Sequence, residues 1–309
     1  MIFAVSLNPC VDKTASIPRF DPDAPNRVRV ERMDLGGKGV NVARVVRALG
    51  GEGTLVGFDY HGSPVAAAMA REDVPCCLAP LPGDLRVNMK LKETETGRTI
   101  EISERGAEAT EDAIKSVTAT LLSLAGPGDW VALSGSLPPG VGEDTYARLV
   151  QAVQDRGCFA AADCDGPALR AALEARPALI KPNAQEFQAL TGVDPSEESA
   201  AVSACRALIG RGIGAVCLSR GGDGALIVNR QGAWRCKAAP VIPQGTQGAG
   251  DTMLAALLLA FVRGMEAGEA LRFASAAAGA SVARPGTLLC RREAVLALLD
   301  ALPPAERIE

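Results

Sequence analysis

The sequence GTQGAGDT at positions 245–252 places an acidic residue after three small residues and before a long apolar run. Gly248, Ala249 and Gly250 leave their backbone N–H groups open to an anion at a helix start, where the helix dipole adds partial positive charge. The same dipole favours an acidic side chain in the first turn, so Asp251 can be a helix cap as well as a catalytic group. No GxxxxGK[ST] loop occurs in the chain. A phosphate transferred here would therefore be held by backbone amides.

A second glycine-rich turn, LGGKGVNVARVVRALGG at 35–51, also precedes an amphipathic helical pattern. It predicts another helix start open to a ligand, with Lys38 near the opening and Asn41 one turn into the helix. The alternative is a turn that glycine permits, with a solvated lysine. A dinucleotide site is disfavoured, because the GxGxxG pattern is not satisfied and no strand–turn–helix unit surrounds it.

The stretch LIKPNAQEFQALTG at 179–192 reads as a strand that ends at Lys181-Pro182-Asn183 and is followed by a helix. Asn183 and Glu186 then lie three residues apart on one helix face, at the carboxyl edge of the sheet, where ligands collect in open α/β folds. Asn183 is an ordinary N-cap, and Glu186 could complete a capping box or order water around Mg²⁺.

Two further stretches end strands with small residues. LSRGGDGALIV at 218–228 predicts a hairpin whose glycines allow a planar or phosphorylated ligand to approach closely, although a plain hairpin turn is the better explanation of this stretch taken alone. LSGSLPPGV at 133–141 places Ser134 and Ser136 at the carboxyl edge, and its two prolines fix the chain that follows.

The elements that must position these residues alternate between short apolar strands and amphipathic helices, which is typical of a mostly parallel sheet covered by helices. The apolar character of several strands indicates burial on both faces. The predicted strands are 2–7, 53–58, 130–134, 159–163, 179–181, 215–219 and 225–228. The predicted helices are 40–49, 111–124, 144–155, 167–174, 197–209, 252–263, 266–284 and 292–302.

Two segments break this alternation, at 13–35 and 85–105, where apolar and polar residues alternate with period two. The second reads as a hairpin that turns at Glu95-Thr96-Gly97. Without covering helices, the two segments predict a small antiparallel sheet that acts as a lid over a ligand, as a dimer surface, or as both. We expect a single domain over 1–309 with this discontinuous lid.

Composition excludes several classes of protein. The chain has 309 residues, 48% of them apolar, which is enough for a large core and argues against disorder. A formal net charge of −4 gives no support to nucleic-acid binding. Nine cysteines without a CxxC pair, and one histidine, disfavour zinc sites and disulfides and fit reduced thiols. The N-terminus does not resemble a signal peptide and the apolar run at 253–261 is too short to span a membrane, so we expect a cytoplasmic protein with no membrane partner.

The ordered set of motifs resembles the ribokinase-like sugar kinases of the phosphofructokinase B type, in the branch of 1-phosphofructokinase and tagatose-6-phosphate kinase. The lysine in GGKG favours this phosphosugar branch over ribokinases proper. The resemblance covers nearly the whole chain and rests on LNPCVDKT (7–14), GGKGVNVAR (36–44), RVNMKL (86–91), LSGSLPPGV (133–141), DCDGPAL (163–169), LIKPNAQE (179–186), SRGGDGAL (219–226), GAGDTM (248–253) and RPGTLL (284–289).

The resemblance implies a three-layer α/β/α fold with a small β lid, ATP and Mg²⁺ as cofactors, and a phosphosugar substrate. It implies that Asp251 accepts the proton of the attacking hydroxyl, and that the amides of Gly248, Ala249 and Gly250 form an anion hole. The implied substrate-binding residues are Asp12, Gly36, Gly37, Asn41 and Ser136 for the sugar, and Lys38, Arg86 and Arg27 or Arg105 for its phosphate. The implied nucleotide-binding residues are Lys181, Asn183, Glu186, Ser219, Gly221 and Gly224, with Glu186 acting on the metal through water.

Three residues depart from the family pattern. Gln247 replaces the usual Val or Thr before GAGD, Ala256 replaces a frequent glycine in the following helix, and Leu85 replaces a frequent Thr before Arg86. None of these changes removes a group that the chemistry needs.

The resemblance implies fructose 1-phosphate as acceptor, with tagatose 6-phosphate and fructose 6-phosphate as alternatives. Two other classes remain as hypotheses: a non-catalytic relative that only binds a phosphosugar, and a nicotinamide oxidoreductase, which lacks its glycine fingerprint. A homodimer through the lid is a further expectation.

Overall fold

The computed structural model describes residues 1–309, and its largest element is a ten-stranded sheet. In spatial order it runs β14-β13-β12-β11-β10-β9-β8-β1-β4-β5. The strands are β1 Ile2–Ser6, β4 Gly53–Asp59, β5 Cys76–Pro80, β8 Trp130–Ser134, β9 Phe159–Asp163, β10 Leu179–Ile180, β11 Ala215–Ser219, β12 Ala225–Asn229, β13 Gly232–Cys236 and β14 Glu306–Arg307. The seven strands from β5 to β11 are parallel, and the last three are added antiparallel.

Helices cover this sheet on both faces and give the three-layer α/β/α fold that the resemblance implied. They are α1 Lys38–Ala48, α2 Pro64–Arg71, α3 Glu111–Leu124, α4 Thr145–Asp155, α5 Gly166–Glu174, α6 Ala184–Thr191, α7 Glu198–Gly210, α8 Ala249–Val262, α9 Ala267–Val282 and α10 Arg292–Ala301. One group of helices that pack on one another comprises α1, α8, α9 and α10, and another comprises α3, α4 and α5. None of the helices is long and apolar enough to cross a membrane.

A separate four-stranded sheet, here called the lid sheet, is formed by β2 Cys10–Ile17, β3 Arg29–Gly36, β6 Arg86–Glu93 and β7 Thr99–Ser103. It begins at Cys10 rather than at residue 13. The outer pairs β2–β3 and β6–β7 are antiparallel as predicted, but the central pair β2–β6 is parallel. The two insertions both leave the same edge of the main sheet, so their first strands run outward side by side.

The predicted strands and helices are confirmed, and their ends differ from the predicted ones by at most three residues. The largest shift that affects the site is at α8, which begins at Ala249 rather than Thr252 and so includes Asp251 in its first turn. The sequence reading assigned no element to α2, β5, β13 and β14. Helix α2 is short, and β5 and β14 lie at the two edges of the main sheet, so the apolar pattern is weak in all three.

Candidate active site

Asp251 lies in the first turn of α8, at the carboxyl edge of the main sheet. Gly248, the residue immediately before α8, has a φ of 71°. Glycine adopts this left-handed conformation without strain, and the helix starts from it. Thr252 is the first residue whose amide bonds back along the helix, to the carbonyl of Gly248 at 2.8 Å. The amides before it are therefore the unpaired donors of a helix start, as an anion hole requires.

A hydrogen bond connects Asp251 to α1. Asn41 Nδ2 donates to Asp251 Oδ2 at 2.7 Å, and both side chains are buried. Burial and, secondly, the charge of Asp163 raise the pKa of Asp251 above its usual value, while the Asn41 hydrogen bond opposes the rise. A carboxylate with a raised pKa is a stronger proton acceptor, which suits a general base.

Asp163, the last residue of β9, lies between two lysines. Lys38 Nζ is 3.1 Å from Asp163 Oδ1, and Lys181 Nζ is 3.1 Å from Asp163 Oδ2. Lys38 also approaches Asp165 at 2.6 Å and Glu186 at 3.6 Å. Burial alone would raise the pKa of Asp163, but the charges of Lys181 and Lys38 outweigh it and lower the pKa. Both lysines therefore stay charged beside the start of α8.

Asn183 and Glu186 form the capping box of α6. The Glu186 amide donates to Asn183 Oδ1 at 2.9 Å, and the Asn183 amide donates to Glu186 Oε2 at 2.8 Å. Glu186 Oε1 is left for the loose ion pair with Lys38. The capping role expected as the simpler alternative is therefore real, and it leaves one carboxylate oxygen for a ligand.

A cavity of about 790 Å³ adjoins these charged groups. Its lining includes charged side chains, among them Asp251. The apolar lining comes from Ala238, Ala239, Val241, Pro243, Met253, Ala278 and Val282. The hairpin glycines Gly221 and Gly224, with Ser219, also line it. This size and mixed lining suit a nucleotide, whose base packs on apolar side chains and whose phosphates need charged and polar groups.

The lid sheet supplies a second set of polar side chains. Asp12 is buried and accepts from Asn88 Nδ2 at 3.3 Å. A side chain at Gly36 would overlap the Asp12 carboxylate, so the close approach of these strands requires glycine there. Gly36 lies two residues before the first residue of α1, and Asn41 of this helix contacts Asp251. Helix α1 therefore connects the lid-sheet groups around Asp12 with the cavity group Asp251.

Four of the five N–H donors of Arg86 are bonded within the protein. Its Nε and Nη2 donate to the carbonyl of Asn8 at 3.1 and 3.0 Å, and its Nη1 donates to Asn88 Oδ1 at 2.9 Å. Asn8 in turn donates to Ser136 Oγ at 3.2 Å. These bonds fix the hinge where the lid sheet leaves the main sheet.

Known proteins match this chain over almost its whole length. Residues 5–294 match the family described as pfkB family carbohydrate kinase. The chain is 37% identical to a 1-phosphofructokinase from Rhodobacter capsulatus over 98% of both sequences. It is 30% identical to the ATP-dependent 6-phosphofructokinase isozyme 2 of Escherichia coli (strain K12), over 94% of this chain and 96% of that one.

The chain belongs to the pfkB family of carbohydrate kinases. Its fold agrees with that of phosphofructokinase-2 from Escherichia coli, crystallised in complex with potassium, with a TM-score of 0.90 and 29% identity over 97% of this chain and 98% of that one. A carbohydrate kinase is a phosphotransferase with an alcohol group as acceptor, and ATP is the donor that membership implies.

The residues of this kinase also fit Mg²⁺ that arrives with a nucleotide. Nowhere does the chain bring together three or more His, Cys, Asp or Glu side chains that could hold a metal. Mg²⁺ commonly needs only one or two carboxylates because phosphates and water complete its shell. Glu186 lines the cavity, and its Oε1, which takes no part in the capping box and makes only the 3.6 Å ion pair with Lys38, matches this requirement.

The structure brings most of the predicted site residues together. Asp251, Gly250, Ala249, Lys181, Asn183, Glu186, Ser219, Gly221, Gly224 and Lys38 line one cavity. Lys38 has a different neighbourhood from the expected one, because its ammonium faces three carboxylates of the nucleotide side. Arg27 is exposed in the connection between β2 and β3 and makes no hydrogen bond or ion pair with the other site residues. The Arg105 side chain is exposed.

Sequence reasoning gave no role to Asp163 and Asp165, although both fall within a motif that carried the resemblance. The available signal was an acidic residue at the end of a buried strand, since such a position opens onto the carboxyl edge. Of the three departures, Ala256 is fully buried in α8 and Leu85 packs partly buried against the core. Gln247 Nε2 donates to Glu101 Oε1 of the lid sheet at 3.3 Å.

Proposed function

We propose that this kinase transfers the γ-phosphoryl group of ATP to fructose 1-phosphate, which gives fructose 1,6-bisphosphate and ADP. The observation that carries the proposal is the buried Asp251 at the start of α8, between the nucleotide cavity and the polar surface of the lid sheet. Its Oδ2 is held by Asn41, and its Oδ1 accepts no hydrogen bond from the protein.

In the proposed reaction the hydroxyl oxygen of the sugar attacks the γ-phosphorus and its proton passes to Asp251. The bond from the γ-phosphorus to the β,γ-bridging oxygen breaks, and ADP leaves with that electron pair. The amides of Gly248, Ala249 and Gly250 stabilise charge on the equatorial oxygens. Lys38 and Lys181, which line the same cavity, add positive charge near these oxygens.

Glu186 is the proposed metal-side residue, acting through water. Mg²⁺, when bound, neutralises charge on the nucleotide phosphates. Asp12, Asn41 and Ser136, with the turn at Gly36 and Gly37, are proposed to bind the sugar. Asn183, Ser219, Gly221 and Gly224 are proposed along the nucleotide.

The choice of fructose 1-phosphate follows the names of the relatives, of which the 37% identical one is a 1-phosphofructokinase and a 30% identical one is a 6-phosphofructokinase isozyme. We expect the highest kcat/KM with fructose 1-phosphate in a panel with fructose 6-phosphate and tagatose 6-phosphate, measured by ADP release. A preference for either 6-phosphate would reject the proposed substrate but keep the kinase class. Ligand-dependent thermal stabilisation without any ADP release would instead support a non-catalytic binding protein.

We also propose that two copies pair through the outer face of the lid sheet. Met33, Ile102 and Val30 are 59%, 52% and 45% exposed, which is unusual for large apolar side chains. We expect sedimentation equilibrium to give twice the chain mass of 31.9 kDa, and a Met33→Lys variant to be monomeric. A monomeric wild-type protein would contradict the pairing.

All nine cysteines are free thiols, and the cytoplasmic location stays a prediction.

A further inference from the structure

One row of side chains crosses the lid sheet directly over the start of α8. The pairing of the strands places Arg32, Thr14, Lys90 and Glu101 opposite one another on β3, β2, β6 and β7. Residues directly opposite in neighbouring strands share a face of the sheet. We call these four residues the charged row.

Two hydrogen bonds to the core show which way this face points. Glu101 of the charged row accepts from Gln247, the residue immediately before the proposed anion hole. Asp34, two residues beyond Arg32 and on the same face, accepts from Thr287 Oγ1 at 2.7 Å. Gln247 and Thr287 belong to core loops. The charged row therefore faces the cleft between the lid sheet and the core, on the same face as Asp12 and Asn88.

Only one charge of this row is left without a partner. Arg32 is paired with Asp34, and Glu101 is held by Gln247. Lys90 is half-buried, yet no carboxylate oxygen lies within ion-pair distance of its ammonium, although Glu101 is its direct neighbour across the strands. An ammonium without a counter-charge on this face leaves its charge and its donors for an anion bound in the cleft.

The other basic groups near the cleft either have partners within the protein or are exposed. Arg86 donates to the Asn8 carbonyl and to Asn88, and Lys38 faces three carboxylates in the nucleotide cavity. Arg27 is exposed and makes no ion pair. Of the half-buried cations on the cleft face of the lid sheet, Arg32 and Arg86 have partners within the protein, whereas Lys90 makes no hydrogen bond or ion pair.

We propose that Lys90 binds the phosphate group that the sugar already carries, as a point charge on the cleft face of the lid sheet. The proposal rests on the proposed function, because it names the residue that would recognise a phosphosugar over a free sugar. It assigns Gln247 a role as well: by holding Glu101, Gln247 keeps this carboxylate from pairing with Lys90.

Replacing Lys90 with methionine tests the proposal. Loss of a hydrogen bond to a charged group corresponds to about 10- to 100-fold weaker binding, so we expect KM for the phosphosugar to rise by that factor. KM for ATP should not change, which separates the sugar's phosphate from those of the nucleotide. Lys92→Met is the matched control, because it removes the same charge from an exposed position two residues further along β6, and it should leave both KM values unchanged.

An unchanged KM for the phosphosugar in Lys90→Met, or an equal rise in both KM values, would overturn the assignment of Lys90. Wild-type protein that phosphorylates no phosphosugar would reject the proposed function and this proposal with it. The two failures are therefore distinguishable by the activity of the wild type.

The role of Gln247 has its own test in a pair of substitutions. Gln247→Val releases Glu101, which can then neutralise Lys90, so we expect KM for the phosphosugar to rise while KM for ATP stays constant. Adding Glu101→Gln removes the competing charge and should restore the wild-type KM. A Gln247→Val effect that Glu101→Gln fails to reverse would show that Gln247 acts on the loop itself and would overturn its role as a holder of Glu101.

Discussion

Replacing Asp251 with asparagine is expected to lower kcat by about 10²- to 10⁴-fold, the range for loss of a positioned general base. Asparagine has the same shape and can still accept the hydrogen bond from Asn41, so the start of α8 should be preserved. Because an amide cannot accept the proton of the attacking hydroxyl, the loss should appear in kcat while KM for ATP stays nearly unchanged. Steady-state kinetics of ADP release would measure both, and near-normal turnover would reject Asp251 as the base.

The same substitution is expected to stabilise the protein near neutral pH. Burial and the charge of Asp163 raise the pKa of Asp251 in the folded state above its unfolded value. Its contribution to stability is therefore full at low pH, where the carboxyl is protonated in both states, and is lost as the pH rises through the folded pKa. Asparagine does not ionise and therefore keeps this contribution at high pH. The Tm of Asp251→Asn should exceed that of the wild type at pH 8 and approach it near pH 4.

A substitution at Asn41 changes the pKa of Asp251 without removing its carboxylate. Asn41→Leu keeps the side-chain volume and the carboxylate but removes the hydrogen bond that lowers the pKa of Asp251. We expect the acid limb of the kcat/KM–pH profile to move to higher pH, since a larger fraction of Asp251 is then protonated at any given pH. An acid limb that stays in place would show that a different group limits the rate.

The strands and the position of Asp251 could be predicted because local patterns determine them. Buried parallel strands such as β8 and β9 are short apolar runs, and their bounds are the predicted ones. Asp251 follows small residues and precedes the continuous apolar run of α8, so the residues on both sides mark the helix start. Such information lies within a few neighbouring positions of the sequence.

The charge arrangement of the site could not be predicted in the same way. Lys38 and Asp163 are 125 residues apart, and their contact depends on which strands are adjacent in the finished sheet. The sequence shows Lys38 in a glycine-rich turn but not the three carboxylates that its ammonium faces. Likewise, Gln247 departs from the family pattern without an evident reason until the lid sheet brings Glu101 beside it. The parallel pairing of β2 with β6 is equally non-local.

Removing the Lys181 ammonium is expected to lower the stability of the protein. The Lys181 side chain is only 4% exposed and that of Asp163 only 1%, and the two form a buried ion pair. Removing one partner of a buried pair costs about 3–5 kcal/mol, because the other charge stays buried. Asp163 retains Lys38, so we expect Lys181→Met to lose about 3 kcal/mol in the free energy of unfolding. Urea unfolding should show this as a lower midpoint with an unchanged slope.

The double variant Asp163→Asn with Lys181→Met separates stability from catalysis. Replacing both partners by uncharged groups is often nearly neutral, so the unfolding midpoint should recover most of the loss. Turnover, by contrast, should be low in both the single and the double variant, because the Lys181 ammonium lies beside the anion hole. A Cβ built on Gly250 would be 3.2 Å from Lys181 Nζ. A double variant that recovers both properties would show that Lys181 serves only to compensate Asp163. If it recovers stability alone, the lysine contributes positive charge where the phosphoryl group is transferred, and Asp163 is needed because it keeps a buried lysine charged.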